Sequence, residues 1–155
     1  MDKEYFMREA IELSKRSVES GGGPFGAVVV RDGEIVSRGA NSVTVSNDPT
    51  AHAEVCAIRD ACRKVGDFKL TGCELYTSCE PCPMCLSAAY WAGIDKIYYG
   101  NTRHDAADAG FDDSFIYDEI ALKPAERSIP SENLLNTEAK AAFDMWRAKP
   151  DKVEY

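Results

Sequence analysis

Two short segments, His52-Ala53-Glu54 and Pro81-Cys82-Pro83-Met84-Cys85, constrain this chain more than any other feature, because both must reach one point in space. An imidazole and two thiols are borderline and soft donors that suit zinc, and three protein ligands leave the fourth tetrahedral corner to water. A structural zinc is normally enclosed by four protein ligands, so His52, Cys82 and Cys85 read as an open, catalytic site. Glu54, two residues past the histidine, is the carboxylate placed to move that water's proton. Any fold for this chain has to carry both segments to the same end of its scaffold.

The punctuation between them suggests how. Residues 4–19 place Phe6, Ile11, Leu13 and Val18 near a helical repeat that stops at Ser20-Gly21-Gly22-Gly23. Ala27-Val28-Val29-Val30 reads as a buried strand, Asp32-Gly33 as a hairpin turn, and Ile35 to Ala40 as the antiparallel return. A polar loop, Asn41 to Thr50, follows. Asp48-Pro49-Thr50 reads as a helix start, and Ala51 to Val65 carries Val55, Ile58, Ala61 and Val65 on one stripe. Glu74 to Ser78 is a third strand, Pro83 to Ala92 a second covering helix, and Ile94 to Gly100 contains a fourth strand. Beyond Gly110 no further strand is evident; Lys123 to Thr137 reads as unstructured and Glu138 to Lys149 as an amphipathic helix bearing Ala142, Phe143 and Trp146.

Strands alternating with helices after a hairpin predict an α/β fold, a three-layer α/β/α sandwich around a central mixed, mostly parallel sheet. His52 then opens one helix, and Cys82 with Cys85, spaced i,i+3, opens the next. Helix starts carry free N–H groups and partial positive charge, which favour thiolates over thiols.

At 155 residues the chain suits a single domain, 1–155, with 138–155 as a C-terminal lid helix and tail. Its formal net charge of -8 disfavours a nucleic-acid partner, since affinity for phosphates is drawn mostly from cations, and leaves a small molecule as the expected substrate. No apolar run approaches the roughly 20 residues of a membrane span. The opening Met1-Asp2-Lys3-Glu4 is unlike a secretory signal, which makes the cytoplasm the expected location. In that setting Cys56, Cys62 and Cys73 read as small buried hydrophobes. Cys79 leaves an alternative open: as a fourth ligand it would close the zinc site and make it structural. Gly21 to Gly26 is not a phosphate loop, because it precedes a strand and lacks the following Lys-Ser/Thr.

The pattern H-x-E…P-C-x-x-C is the established signature of zinc-dependent nucleobase deaminases. Asn47 to Glu54, Thr77 to Cys85 and Ala109 to Tyr117 together resemble guanine deaminases of the cytidine deaminase-like superfamily, and the likeness runs from Gly23 to Tyr155. The resemblance implies hydrolysis of guanine to xanthine and ammonia with one Zn2+ per chain. Glu54 would carry a proton from the attacking water to ring nitrogen N3 as C2 is attacked, and then to the departing amine. It further implies that Asn41 hydrogen-bonds the base, that the Ala53 N–H meets its carbonyl oxygen, and that Phe25 and Trp91 wall the ring. Asp113 would accept from the purine edge and act as a second proton carrier, and Tyr155 would close the pocket. A homodimer is implied as well, and the linker before the last helix would allow the C-terminal segments to be exchanged between protomers.

Plainer roles stand beside these. Phe25 and Trp91 suit a core, Asn41 suits a strand end, and Asp112 or Asp113 suits the cap of a helix starting near Ser114. Other substrates also stay open: guanosine, cytosine or a triazine in the same pocket, an adenosine in tRNA, or no substrate at all in a zinc-stabilised interaction module.

Overall fold

A computed structural model of the chain describes residues 2–155. Helix α1, Lys3–Glu19, is capped by Asp2, whose carboxylate accepts from the Tyr5 N–H at 3.1 Å. It leads to the hairpin β1, Gly26–Arg31, and β2, Glu34–Ala40. Asp32 and Gly33 turn the chain with φ of 50° and 77°, the paired left-handed conformations of a type I′ turn, whose twist matches that of the flanking strands. Then follow α2 (Val43–Ser46), α3 (Ala53–Val65), β3 (Cys73–Cys79), α4 (Pro83–Ala92), β4 (Lys96–Asn101) and α5 (Arg103–Asp108).

The sheet order is β2-β1-β3-β4. It is mixed, as expected, but not mostly parallel in its pairing: β1 pairs antiparallel with both β2 and β3, and only β3 with β4 is parallel. Crossover through α3 does join strands that run the same way, β2 and β3. Instead of lying side by side they flank β1, because the central place goes to the segment that can be buried on both faces. Ala27 and Val29 of β1 face one cluster with Ala53, Ala57, Ile58, Ala61, Leu75 and Ala89, drawn from α3, β3 and α4. Val28 and Val30 face the other, with Phe6 of α1 and Tyr76. Helices therefore cover both faces of the sheet, and the three layers are present.

One close approach sets the position of α3. A Cβ on Gly39 would run into the Ala53 carbonyl oxygen and the Ala57 amide nitrogen, so only glycine lets β2 lie against the first turn of this helix. The buried Ser37 hydroxyl donates to the Ala57 carbonyl at 2.7 Å and ties the two together.

The described residues form two compact units, one ending at Asp113 and the other Ser114–Tyr155. The second holds α6 (Ser114–Ala121), a 3-10 turn (Pro124–Glu126) and α7 (Asn136–Ala148). Its chain folds back on α6 through polar contacts. Arg127 donates to the Glu119 and Ile120 carbonyls at 3.0 and 3.2 Å, and the Ser128 N–H and hydroxyl both reach the Glu119 carboxylate at 2.7 Å. No described helix is long and apolar enough to cross a membrane.

Several local readings are revised. The helix expected from Asp48 starts at Ala53, the polar loop before it contains α2, and the stretch from Lys123 to Thr137 holds the 3-10 turn and the start of α7.

Candidate active site

Helices α3 and α4 begin with the same device. His52 and Cys82 occupy their N-cap positions with extended backbones, φ/ψ of -70°/153° and -67°/170°, and neither side chain makes a capping hydrogen bond. Both side chains are instead turned toward each other. His52 Nδ1 lies 3.5 Å from the Sγ of Cys82 and 3.5 Å from the Sγ of Cys85, and the three ligand atoms fall within 4.8 Å of one another. Zn–S bonds of about 2.3 Å and Zn–N bonds of about 2.0 Å at tetrahedral angles separate N from S by about 3.5 Å, so the donor set fits zinc in both chemistry and size. Cys85 is buried while His52 and Cys82 are partly exposed, which leaves the group open on one side.

The electrostatics favour metal binding. The Cys85 thiol and the His52 imidazole beside Cys82 hold it well below the usual thiol range, and the same partnership pushes Cys85 up. The downward shift of Cys82 favours its thiolate, the form that binds a metal. Its hydrogen bond to His52 raises the imidazole in turn.

Glu54, in the first turn of α3, is buried, and burial pushes its carboxyl above the ordinary range. The fully buried Thr77 of β3 donates its hydroxyl to Glu54 Oε1 at 3.1 Å, which works in the opposite direction. A carboxylate that is desolvated yet hydrogen-bonded can hold a proton and release it within one cycle.

Cys79 stands apart from the ligand group. Its Sγ points to the Thr102 carbonyl at 3.8 Å, and burial pushes its thiol up to about 11. The three-ligand, open arrangement is the one the described residues form.

Ala53 is the first residue of α3, so its N–H is among the helix-start donors that have no intrahelical acceptor. Asn41 sits just past β2, where its Oδ1 accepts from the Gly23 and Val43 N–H groups at 3.3 and 3.2 Å. Phe25 packs on the core and meets Phe111 edge to face with centroids 5.0 Å apart. Asp113 is partly buried and raised by that burial; the charge of Cys82 raises it further and the charge of Arg103 opposes, which brings it within electrostatic reach of the metal ligands. Trp91 is not brought to the ligands in the same direct way: it lies near the far end of α4 and is 65 % exposed. Tyr155 ends the second unit and is also exposed.

Thr77 was not singled out by sequence reasoning. Its signal was present, since Thr77-Ser78 puts two adjacent hydroxyls into a mostly buried strand, and each has found a specific acceptor or donor role. Ser78 accepts from the Gly26 N–H at 3.0 Å and ties β3 to β1.

Known proteins match this arrangement. Residues 1–101 match the family model described as the cytidine and deoxycytidylate deaminase zinc-binding region. A guanine deaminase from Bacillus subtilis (strain 168) is 53% identical over the full length of both chains, and a crystal structure of B. subtilis guanine deaminase superposes with a TM-score of 0.97 over 100% of this chain and 99% of that one. A guanine deaminase structure from Nitrosomonas europaea has a TM-score of 0.70 at 32% identity, covering 72% of this chain and 65% of that one. A tRNA-specific adenosine deaminase from Aquifex aeolicus is 48% identical over 64% of this chain and 66% of its own length. The chain belongs to the cytidine and deoxycytidylate deaminase zinc-binding family.

Proposed function

We propose that this chain hydrolyses guanine to xanthine and ammonia. The observation that carries the reading is the buried Glu54, held by Thr77, beside an open His52-Cys82-Cys85 site in a chain alike to the Bacillus subtilis guanine deaminase along its whole length. A zinc ion would be held by these three residues and would supply Lewis-acid activation of the attacking water. The chain's own residues do the rest. Glu54 accepts the proton given up by that water and delivers it to N3 of the ring as C2 is attacked. It next takes the remaining hydroxyl proton of the C2 adduct and passes it to the departing amine, so that the C2–N bond breaks, C2=O forms and ammonia leaves. Burial keeps its carboxyl high enough to donate, while the Thr77 hydroxyl steadies the ionised form between transfers.

Recognition follows from what each group offers. Guanine presents acceptors at O6, N3 and N7 and donors at N1 and N2. With its Oδ1 already engaged by two backbone N–H groups, Asn41 can offer only the donors of its amide. The Ala53 N–H is a second donor and the Asp113 carboxylate an acceptor. Phe25 supplies an apolar wall. The roles of Trp91 and Tyr155 as further wall and closure rest on resemblance alone.

The active form is a homodimer in which the C-terminal segments are exchanged. Supporting this, the segment Ser114–Tyr155 has no buried residue of its own, and Ala142, Met145, Trp146, Ala148 and Lys149 line an apolar groove within it. A second copy of the chain is the natural cover for such a face. Six cysteines, none of them in a disulfide among the described residues, suit the reducing cytoplasm.

Ammonia release from guanine, guanosine, cytosine, adenine and a tRNA anticodon stem tests the substrate. Turnover of guanine alone is expected; turnover of the stem in preference to guanine would overturn the reading. Light scattering on the same preparation tests assembly, and a stable, fully active monomer at micromolar concentration would rule out the exchanged dimer.

A further inference from the structure

The amide of Asn41 is held in place by a small polar assembly outside the pocket, and one member of it belongs to none of the motifs. Ser17 lies in the last turn of α1 and is buried. Its hydroxyl does not bond back to its own helix, as a serine in such a position commonly does. It reaches across to the Asn41 backbone carbonyl at 3.0 Å. Gly22 fills the space between: its N–H donates to the Ser17 carbonyl at 2.8 Å, and a Cβ there would stand 2.5 Å from both the Asn41 carbonyl oxygen and the Ser17 hydroxyl. The next residue, Gly23, gives its N–H to Asn41 Oδ1, and Val43 gives a second. Backbone and side chain of Asn41 are therefore both fixed, the first by Ser17 and the second by two amides.

We infer that Ser17 is a positioning residue for substrate, acting through Asn41. The inference rests on the reading that the Asn41 amide donates to the base. Two backbone N–H groups on Oδ1 settle which way the amide faces, since the reverse orientation would set donor against donor. An amide held donor-only pairs with a purine acceptor and meets a ring bearing an N–H at that edge with repulsion, so its orientation is a device of selection as well as affinity. Without the Ser17 hydroxyl the Asn41 carbonyl loses its donor, the turn between strand and α2 is freed, and the amide drifts from the angle the base requires.

The test is a double-mutant cycle on the zinc-loaded enzyme with guanine as substrate. Ser17→Ala is expected to raise KM roughly 3- to 10-fold, the size of one lost hydrogen bond, with kcat within about two-fold and zinc content unchanged. In an Asn41→Ala background the same substitution is expected to add nothing to KM. Gly22→Ala, which pushes on Asn41 from the same side, should reproduce the selective rise in KM and serves if Ser17→Ala does not fold. A rise in KM on Asn41→Ala with no rise on Ser17→Ala or Gly22→Ala overturns the positioning role and leaves the base contact standing. An undiminished Ser17 effect in the Asn41→Ala background likewise overturns it, since that is the behaviour of a purely structural hydroxyl. If Asn41→Ala leaves KM unaltered, the base contact itself fails and the inference with it.

Discussion

The unit ending at Asp113 and the unit Ser114–Tyr155 differ in where their apolar side chains go. In the first, β1 is buried on both faces, Leu75 is 0 % exposed, and each side chain proposed for the chemistry is placed by elements that share this core. In the second, Phe143 is 66 % exposed, Met145 is 74 % exposed, and not one residue from Ser114 onward is buried. A segment of this size has little chance of a self-sufficient core, since domains below about 40 residues usually need disulfides, metals or association. The first unit has a core of its own, and under the proposed dimer the exposed apolar side chains of the second would be covered by another copy of the chain. The residues of the His52-Cys82-Cys85 group and Glu54 all lie in the former.

The largest expected effect tests whether chemistry is confined to the first unit. Glu54→Gln removes the transferable proton while keeping the shape of the side chain, and should lower turnover on the order of 100- to 10,000-fold with zinc content unchanged. Steady-state ammonia release with metal analysis on the same preparation decides it. Activity within a few-fold of the parent would end the proton-transfer role.

Next in size is a pair of matched truncations. Leu75→Ala opens a cavity in a closed core and should cost about 2–5 kcal/mol, seen in denaturant melts at any protein concentration. Phe143→Ala removes a ring that its own unit leaves exposed. Its melting point should fall only in a concentration-dependent manner, as expected when the missing contact is with a second copy. A concentration-independent loss at Phe143 would show that the second unit has a core of its own and that the two units do not differ in this respect.

Much of the first unit was legible in sequence because it depends on local signals. Asp32-Gly33 named its turn, and His52, Cys82 and Cys85 named the metal site, since ligands at two helix starts have to converge. What was not legible depended on neighbours far along the chain. The run Ala27 to Val30 announces a buried strand but not that it separates β2 from β3, which only the assembled sheet decides. Helix α2 has four residues, too few for a period to show, and α5 is held by a capping box at Thr102 and Asp105 instead of by an apolar stripe. Ser17 and Thr77 looked like ordinary hydroxyls because their partners, Asn41 and Glu54, are distant in sequence.

Asp113 lies at the seam, the last residue of one unit and next to the first residue of α6. Two roles make opposite forecasts there. If the carboxylate accepts from the guanine edge, Asp113→Ala leaves a substrate donor unmatched and lowers kcat/KM by about 1–3 kcal/mol, with the melting point nearly unchanged. If it caps α6, stability falls by about 0.5–2 kcal/mol and turnover of guanine barely moves. Kinetics and melting on one preparation separate them, and the first outcome is expected because Cys82 and Arg103 both act on this carboxyl.

The smallest effect is also the one with a signature in pH. Thr77→Val keeps the shape of the side chain and deletes the hydroxyl that donates to Glu54 Oε1, so about 1 kcal/mol, or roughly five-fold in turnover near neutral pH, is expected to be lost. The sign is fixed by the direction in which the Thr77 hydrogen bond acts on Glu54. Burial raises its carboxyl and the Thr77 hydrogen bond lowers it, so the variant's Glu54 must titrate higher still. Glu54 has to be ionised to take a proton, and the acid limb of the rate profile should therefore move to higher pH. Stability follows the same sign. A carboxyl whose folded-state pKa is raised helps the fold below the ordinary carboxylate range, and that help is lost as pH rises through the folded value. A higher folded value means a larger loss, so the melting-point gap between parent and Thr77→Val should widen as pH rises above the ordinary carboxylate range. A gap that stays constant as pH rises, with an unmoved acid limb, would show that the hydroxyl serves its second contact, the Cys79 carbonyl at 3.1 Å, and not the carboxylate.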